Sequence, residues 1–342
     1  MKRIVCFLLL FAVLISFASC AEETVEKVKS DDTFNPLFGF TIGEGKASET
    51  RLFYMPESDG YVYLLPNEEG GISCGFVSPS RSISSEALFK SEASLSSVCV
   101  WENGKDAAYV LTEKELYTLL LAEGGVHKTA LPEGFVLNNP MELGGISFIN
   151  EKEGLLLIHP VDFSETYVLA QTAALADYAE PLLATDEGKK IWYARGSENG
   201  YKGLGYFEYG KNEPLGTEDF TFDAYTPVSE NAVLFTRKTE NGALYLYRNF
   251  KTGEIRSMVS STVFEGVTCD PAGRILCGSV SSESGAKIYV MEIASGEESG
   301  VYPLEYGTLS PSLAISKDAS TLLIAIGTGN RAIIGTVDLS KI

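Results

Sequence analysis

Histidine is nearly absent from this 342-residue chain: His127 and His159 are the only two. A site built from several imidazoles has no material here, and neither do most Ser-His or Cys-His relays. His127 falls in a Gly-rich turn and His159 precedes Pro160 at a strand end, so both read as loop or surface residues. Positive charge is scarce too, with 27 Lys and Arg against 46 Asp and Glu and a formal net charge of −19. That deficit argues against nucleic-acid partners and against wide contact with anionic lipid.

Catalytic motifs are likewise missing. A phosphate-binding loop fails because Gly45-Lys46 is followed by Ala47 and Phe40 stands where the first Gly is required. Gly71-Ile72-Ser73-Cys74-Gly75 matches the letters of a nucleophile elbow, which needs a strand before the Ser and a helix after it. Here the turn Asn67-Glu68-Glu69-Gly70 precedes it, and Pro79 forbids a regular helix. Calcium loops of EF-hand spacing are absent, and no cysteine spacing fits zinc. No cofactor is implied, and no residue is assigned a catalytic role.

Long apolar runs are confined to the first residues. Lys2 and Arg3 precede the fourteen-residue stretch Ile4 to Phe17, which is short for a membrane span of about 20 residues. Ala21-Glu22-Glu23 then supplies acid where a retained anchor facing the cytoplasm wants basic residues. The segment is expected to be cut. Phe17-Ala18-Ser19-Cys20 resembles the lipobox of bacterial lipoproteins, although Phe17 replaces the usual Leu, Val or Ile. The resemblance implies a signal peptide over residues 1–19, a lipid on Cys20 and an extracytoplasmic location in the cell envelope. Residues 20–33 carry no apolar period and read as a tether, leaving 34–342 as the folded domain.

Self-comparison carries the strongest signal. A polar turn launches a short apolar strand at Asp186-Glu187-Gly188-Lys189-Lys190-Ile191-Trp192-Tyr193, at Asp270-Pro271-Ala272-Gly273-Arg274-Ile275-Leu276, and at Ser316 to Ile324. A second turn and another strand follow, as in Ala286 to Ile293 and Gly242 to Tyr247. The first turns fall near Gly60, Gly104, Gly154, Gly188, Asn231, Gly273 and Ala319, about 43 residues apart on average and 34 to 50 individually. That period suits a four-stranded propeller blade. The aspartates of these turns, Asp186, Asp270 and Asp318, have a sufficient role as turn formers. Only brief helix, such as Ala173 to Ala179, is compatible with the rest.

The turn Asp270 to Leu276 with Ile288 to Glu292 resembles the repeat unit of TolB-like and WD40-like β-propellers, with Glu292 in place of Asp. The resemblance implies an all-β propeller of seven four-stranded blades. The last copy supplies three strands, around Leu313, Leu323 and Ile334, so Leu37 to Ile42 is expected to close it. Cys269 and Cys277 flank a hairpin turn and are placed to face each other, while Cys74 and Cys99 have no local reason to meet; buried free thiols are the other outcome for both pairs.

The polar stretch Arg195-Gly196-Ser197-Glu198-Asn199-Gly200-Tyr201-Lys202-Gly203 reads as a long loop on the ligand-bearing face, with Arg195, Asn199, Tyr201 and Lys202 as candidate contacts. The expected function is a non-catalytic lipoprotein, held to the membrane through Cys20, that binds or scaffolds an envelope protein, peptide or glycan. The alternative is a polysaccharide hydrolase or lyase using carboxylates and Tyr on one propeller face. Several Asp, Glu, Arg and Tyr side chains converging at the centre of the ring favour the enzyme, whereas a plain channel with a broad exposed patch on one face favours binding.

Overall fold

The computed structural model describes residues 34–41, 49–55, 57–67, 71–78, 88–93, 98–102, 107–112, 115–130, 136–137, 146–150, 154–158, 166–170, 180–185, 190–197, 200–208, 215–229, 231–282, 285–304, 308–309, 312–328 and 330–341. Of the two units into which the chain divides, Met1–Asp32 and Thr33–Ile342, all of these belong to the second. Cys20, His159, Ala173 to Ala179, Asp186 and Asn199 lie outside them.

The strands form antiparallel sheets in chain order. After β1 (Phe34–Thr41) comes a sheet of β2 (Arg51–Met55), β3 (Gly60–Pro66), β4 (Ile72–Val77) and β5 (Phe89–Ser91). The second has β6 (Cys99–Glu102), β7 (Ala107–Leu111), β8 (Glu115–Leu120) and β9 (Gly125–Ala130), and the third β10 (Val136–Leu137), β11 (Ile146–Asn150), β12 (Gly154–Ile158) and β13 (Thr166–Ala170). The fourth has β14 (Glu180–Thr185), β15 (Lys190–Ser197), β16 (Gly200–Glu208) and β17 (Leu215–Phe222), and the fifth β18 (Ala224–Ser229), β19 (Ala232–Thr239), β20 (Gly242–Asn249) and β21 (Ile255–Ser260). The sixth has β22 (Gly266–Cys269), β23 (Ile275–Ser282), β24 (Gly285–Glu292) and β25 (Glu298–Leu304). The last joins β1 to β26 (Thr308–Leu309), β27 (Ala314–Ile315), β28 (Thr321–Thr328) and β29 (Arg331–Asp338).

That last sheet has five strands but four positions. Thr308 and Leu309 pair with Gly327 and Ile326, and Ala314 and Ile315 pair with Leu323 and Leu322, so β26 and β27 are two pieces of one interrupted inner strand. The outer position is filled by β1, antiparallel to β29 from Phe34 opposite Val337 to Thr41 opposite Arg331. The closing strand thus begins at Phe34 rather than Leu37. It starts earlier because Phe34 is itself a core residue, 4% exposed and packed among Ile288, Leu322 and Val337.

Burial explains why the middle strands read as unbroken apolar runs and the outer ones alternate. A middle strand is covered on both faces by neighbouring sheets. Along β28, Leu322, Ile324 and Ile326 pack with Ile288 and Val290 of the sixth sheet, while the intervening Leu323 and Ala325 pack with Tyr61, Tyr63 and Leu65 of the first. The last sheet therefore lies between the sixth and the first, and the first is continued by a cluster joining Val62 and Leu64 to Val100, Val110 and Leu119 of the second. Each fully buried aliphatic side chain contributes about 1.5–3 kcal/mol of transfer free energy. Outer β21, by contrast, exposes Ile255, Ser257 and Val259 and turns Met258 and Ser260 inward. Polar contacts also join sheets: the Arg248 guanidinium donates to both Glu218 oxygens, at 2.8 Å from Nη2 to Oε1, and lies 5.3 Å from the Trp192 ring and 4.7 Å from that of Phe250.

The repeated turn is held by the side chain of its first residue, Asp270 in the sixth sheet and Ser316 in the last, where the hydroxyl accepts the Thr321 N–H at 2.9 Å. The Asp270 carboxylate, fully buried, accepts the backbone N–H of Arg274 (2.6 Å) and of Ile275 (2.7 Å) and Nε of Arg274 (2.9 Å). Gly273 takes φ +63°, and the Tyr247 hydroxyl of the neighbouring sheet donates to the Pro271 carbonyl at 2.8 Å. In the last copy Asp318 accepts from the Ser316 hydroxyl (2.6 Å) and from the N–H (3.0 Å) and hydroxyl (2.8 Å) of Ser320.

Three expectations need correction. Cys269 and Cys277 do not face each other: Cys269 pairs with Leu276 and Cys277 with Thr268. This offset of one residue sends their side chains to opposite faces, into different clusters, and both are free thiols, as is Cys74. His127 stands exposed on β9 rather than in a turn. The long loop at Arg195 to Gly203 is mostly strand, because β15 runs to Ser197 and β16 starts at Gly200, with a register shift at Arg195/Gly196 absorbing the irregularity.

Candidate functional site

Each sheet's inner strand leaves one edge facing the interior of the ring, and there a cavity of about 940 Å³ opens. Its walls come from β2, β18, β22 and the interrupted inner strand of the last sheet. Inner strands run in one direction, so residues at their starts share one end of the cavity and residues at their finishes share the other. Exposed Glu49, Lys238, Val263 and Glu265 surround the first end, together with half-buried Arg51. Met55, Cys269 and Ile315, each at most 3% exposed, line the second end, with their side chains packed in the clusters between sheets. The cavity thus carries a charged rim at one end.

The rim is fixed by hydrogen bonds. Asp223, just before β18, accepts the Lys238 backbone N–H at 2.6 Å, and the Glu265 carboxylate accepts the Ser281 N–H at 3.1 Å. Ser312 bridges the last sheet to the first inside the wall: its hydroxyl accepts from Leu52 N–H (2.8 Å) and lies 3.4 Å from the Leu52 carbonyl, to which it donates. Thr226 and Thr268 add hydroxyls lower down. Between the fifth and sixth sheets, burial pushes the Cys269 thiol well above its ordinary range, so it stays protonated at neutral pH and is a poor nucleophile.

The hairpin of candidate contacts meets this cavity from behind. Tyr201 stacks on Phe222 at 4.6 Å and stands edge-on to Tyr225, a wall residue, at 5.9 Å. Arg195 faces Asp219 at 3.4 Å, and Lys202 is exposed on β16. Tyr201 thereby supports the wall, while Arg195 is engaged with a carboxylate on the neighbouring strand. Ser73, half-buried at the second position of β4 between Leu65 and Lys90, occupies no elbow.

Sequence reasoning missed Glu49, Arg51, Tyr225, Lys238 and Glu265. Three of them, Arg51, Tyr225 and Glu265, share a signal: each lies within one residue of the start, or at the second position, of its repeat's inner strand. Phasing the repeats on the inner strand rather than on the turn would have aligned them. Among the described residues, no group of three or more His, Cys, Asp and Glu side chains is arranged to hold a metal ion.

Sheets following one another around an axial cavity, with the last packed on the first, define a β-propeller. No protein-family model matches this sequence, and no curated protein does. Solved structures match in fold. An oligogalacturonate lyase in complex with manganese aligns over 90% of this chain and 98% of its own, with a TM-score of 0.58 at 10% identity. The oligogalacturonate lyase of Vibrio parahaemolyticus aligns over 90% and 97%, with a TM-score of 0.54 at 10% identity. The Dos1 propeller aligns over 89% and 95%, with a TM-score of 0.52 at 12% identity. At these identities the likeness is one of architecture, which hosts many unrelated activities.

Proposed function

We propose that this chain is an envelope lipoprotein whose seven-bladed propeller binds or scaffolds a protein, peptide or glycan without transforming it. In this reading residues 1–19 are a signal peptide, Cys20 carries the lipid, 21–33 are the tether, and each sheet is one blade. The observation that carries the binding reading is the rim of the axial cavity, where charges of both signs, Glu49, Arg51, Lys238 and Glu265, stand at the solvent-facing end. Such a site selects a partner by rim charge and shape. Arg195 and Lys202, on the hairpin of β15 and β16, are further candidate contacts in this reading.

The test is titration of the purified chain with a panel of soluble envelope oligosaccharides and peptides, beside the Arg51→Glu and Lys238→Glu variants. A ligand recovered unchanged, and weakened at least tenfold by either substitution, supports the reading. A ligand indifferent to both substitutions removes this cavity as the site.

A second reading, a polysaccharide lyase or hydrolase, draws on the oligogalacturonate lyase likeness and on rim residues suited to an acidic sugar. Arg51 and Lys238 would meet a sugar carboxylate, and Glu49, Glu265 and Tyr225 are the proton-transfer groups nearest to it. Incubation with polygalacturonate, with and without added manganese, decides it: new chain ends would replace the binding reading.

A further inference from the structure

The outer strand of each sheet leaves an edge, and charge or proline guards most of those described. Exposed Lys90 stands on β5, Lys128 on β9, Glu218 and Asp219 on β17 and Glu298 on β25, while β1 carries Pro36. Such residues discourage a further strand from pairing there. β21 differs: its exposed row is Ile255, Ser257 and Val259, with Ile255 57% and Val259 68% exposed. Its one charged residue, Arg256, is turned to the other face, where it pairs with Glu254 (2.6 Å) and donates to the Gly273 carbonyl of the sixth sheet (3.2 Å). Register decides what the edge offers. The Asn249 N–H donates to the Glu254 carbonyl at 2.9 Å, so residues 254, 256, 258 and 260 turn their backbone groups toward β20, and Ile255, Ser257 and Val259 turn theirs outward. Among the described residues no strand pairs with β21 on that side. We propose that β21 is a homodimer interface, on which a second copy of this chain lays its own β21 antiparallel about a two-fold axis at Ser257.

Self-complementarity selects the second copy as the occupant. Under that axis Ser257 meets the second copy's Ser257, and Ile255 meets the second copy's Val259 on either side of it. These are the residues whose backbone groups point outward, so each pair exchanges both hydrogen bonds while apolar side chains meet on one face. No like charges stand opposite each other: Arg256 falls opposite the second copy's Met258, and Glu254 opposite its Ser260. Half-buried Leu244 and Leu246 of β20, partners of Val259 and Ser257, continue the apolar surface behind the seam. Because the patch is its own partner, pairing consumes the edge and stops at two copies. The axis stands normal to the sheet and sets the two propellers antiparallel, with their charged rims opening in opposite directions. A strand pair this short buries less than the about 1,200 Å² of stable complexes, which makes association concentration-dependent.

The experiment treats the full chain carrying Ser257→Cys with a short bismaleimide, beside Thr252→Cys on the exposed turn before β21 and the unsubstituted chain as background from native thiols. In the dimer the two 257 positions lie about 5.5 Å apart and the two 252 positions about 30 Å apart. Covalent dimer is expected to form roughly fivefold faster from position 257 than from 252, and faster still as protein concentration rises. Adding Val259→Lys or Ile255→Lys to the Ser257→Cys chain should slow it roughly fivefold by guarding the edge. Both sites are exposed, so an unchanged melting temperature shows that these variants fold. Equal cross-linking from 257 and 252 overturns the proposal and leaves the edge to an extended segment of a different protein. A position-257 dimer that neither lysine slows places the contact off this row and overturns it as well.

Discussion

Phe34 and Val337 are ladder partners although they stand near opposite ends of the described chain, and their side chains share one apolar cluster. The first strand is thereby committed to the last sheet, and nothing local holds it there. Beside them Gly335 passes so close to the Phe34 ring that a Cβ would run into it. Gly335→Ala is expected to displace Phe34 and destabilise the protein by about 1–3 kcal/mol, the usual cost of overpacking. Denaturant unfolding reads this directly, and a variant as stable as the parent would mean that β1 contributes little to closure.

Asp270 is the second test. Removing its carboxylate leaves the Arg274 and Ile275 N–H groups unpaired beneath a buried turn. Asp270→Ala should cost about 2–4 kcal/mol, and Asp270→Asn less, because both backbone N–H groups converge on Oδ1 and an amide oxygen there still accepts them. Equal losses for the two would show that charge, not acceptor geometry, holds the turn.

In the last copy Ser316 stands where Asp270 stands in the sixth sheet, and the aspartate two residues on, Asp318, titrates. Hydrogen bonds from the Ser316 hydroxyl and from Ser320 hold the Asp318 carboxyl down at about 2, from its ordinary 3.8. Because the folded value is the lower one, its contribution is present in full above about pH 4 and is lost as pH falls from there toward 2. The difference in stability between the parent and Asp318→Asn should therefore shrink across that window. A difference independent of pH between 5 and 2 would contradict the assignment.

Thiol reactivity tests the corrected cysteine geometry. Cys74, Cys269 and Cys277 are buried, and burial pushes all three thiols up. They should resist alkylation in the native protein at pH 8 and react together on unfolding. Reductant should leave the melting temperature unchanged. A reductant-sensitive melting curve would point to a disulfide involving one of them.

The repeat was legible because it is a local matter: a turn of Asp, Pro, Gly or Lys followed by a β-branched or aliphatic run declares itself within ten residues, as at Asp270 to Leu276. The need for a strand from elsewhere in the last copy was legible for the same reason, since its own strands could be counted. The rim of the cavity was not. Arg51 and Glu265 share only a place at the start of an inner strand, Glu49 and Lys238 lack even that, and the four come together because three sheets meet the axis at the same height. The hairpin at Arg195 to Gly203 misled because its glycines, which suggest a loop, instead admit close backbone packing: a Cβ at Gly203 would collide with the Glu218 carbonyl, and one at Gly205 with Tyr193.

Sequence by itself determined the period, the strand-and-turn order and the acidic, His-poor character of the chain, because these depend on residues near one another. Tertiary structure alone decided which face each cysteine takes, where β1 begins and which charges ring the cavity. Those follow from register, and a shift of one residue in an antiparallel pair sends a side chain to the other face. A linear reading has no means of seeing that shift.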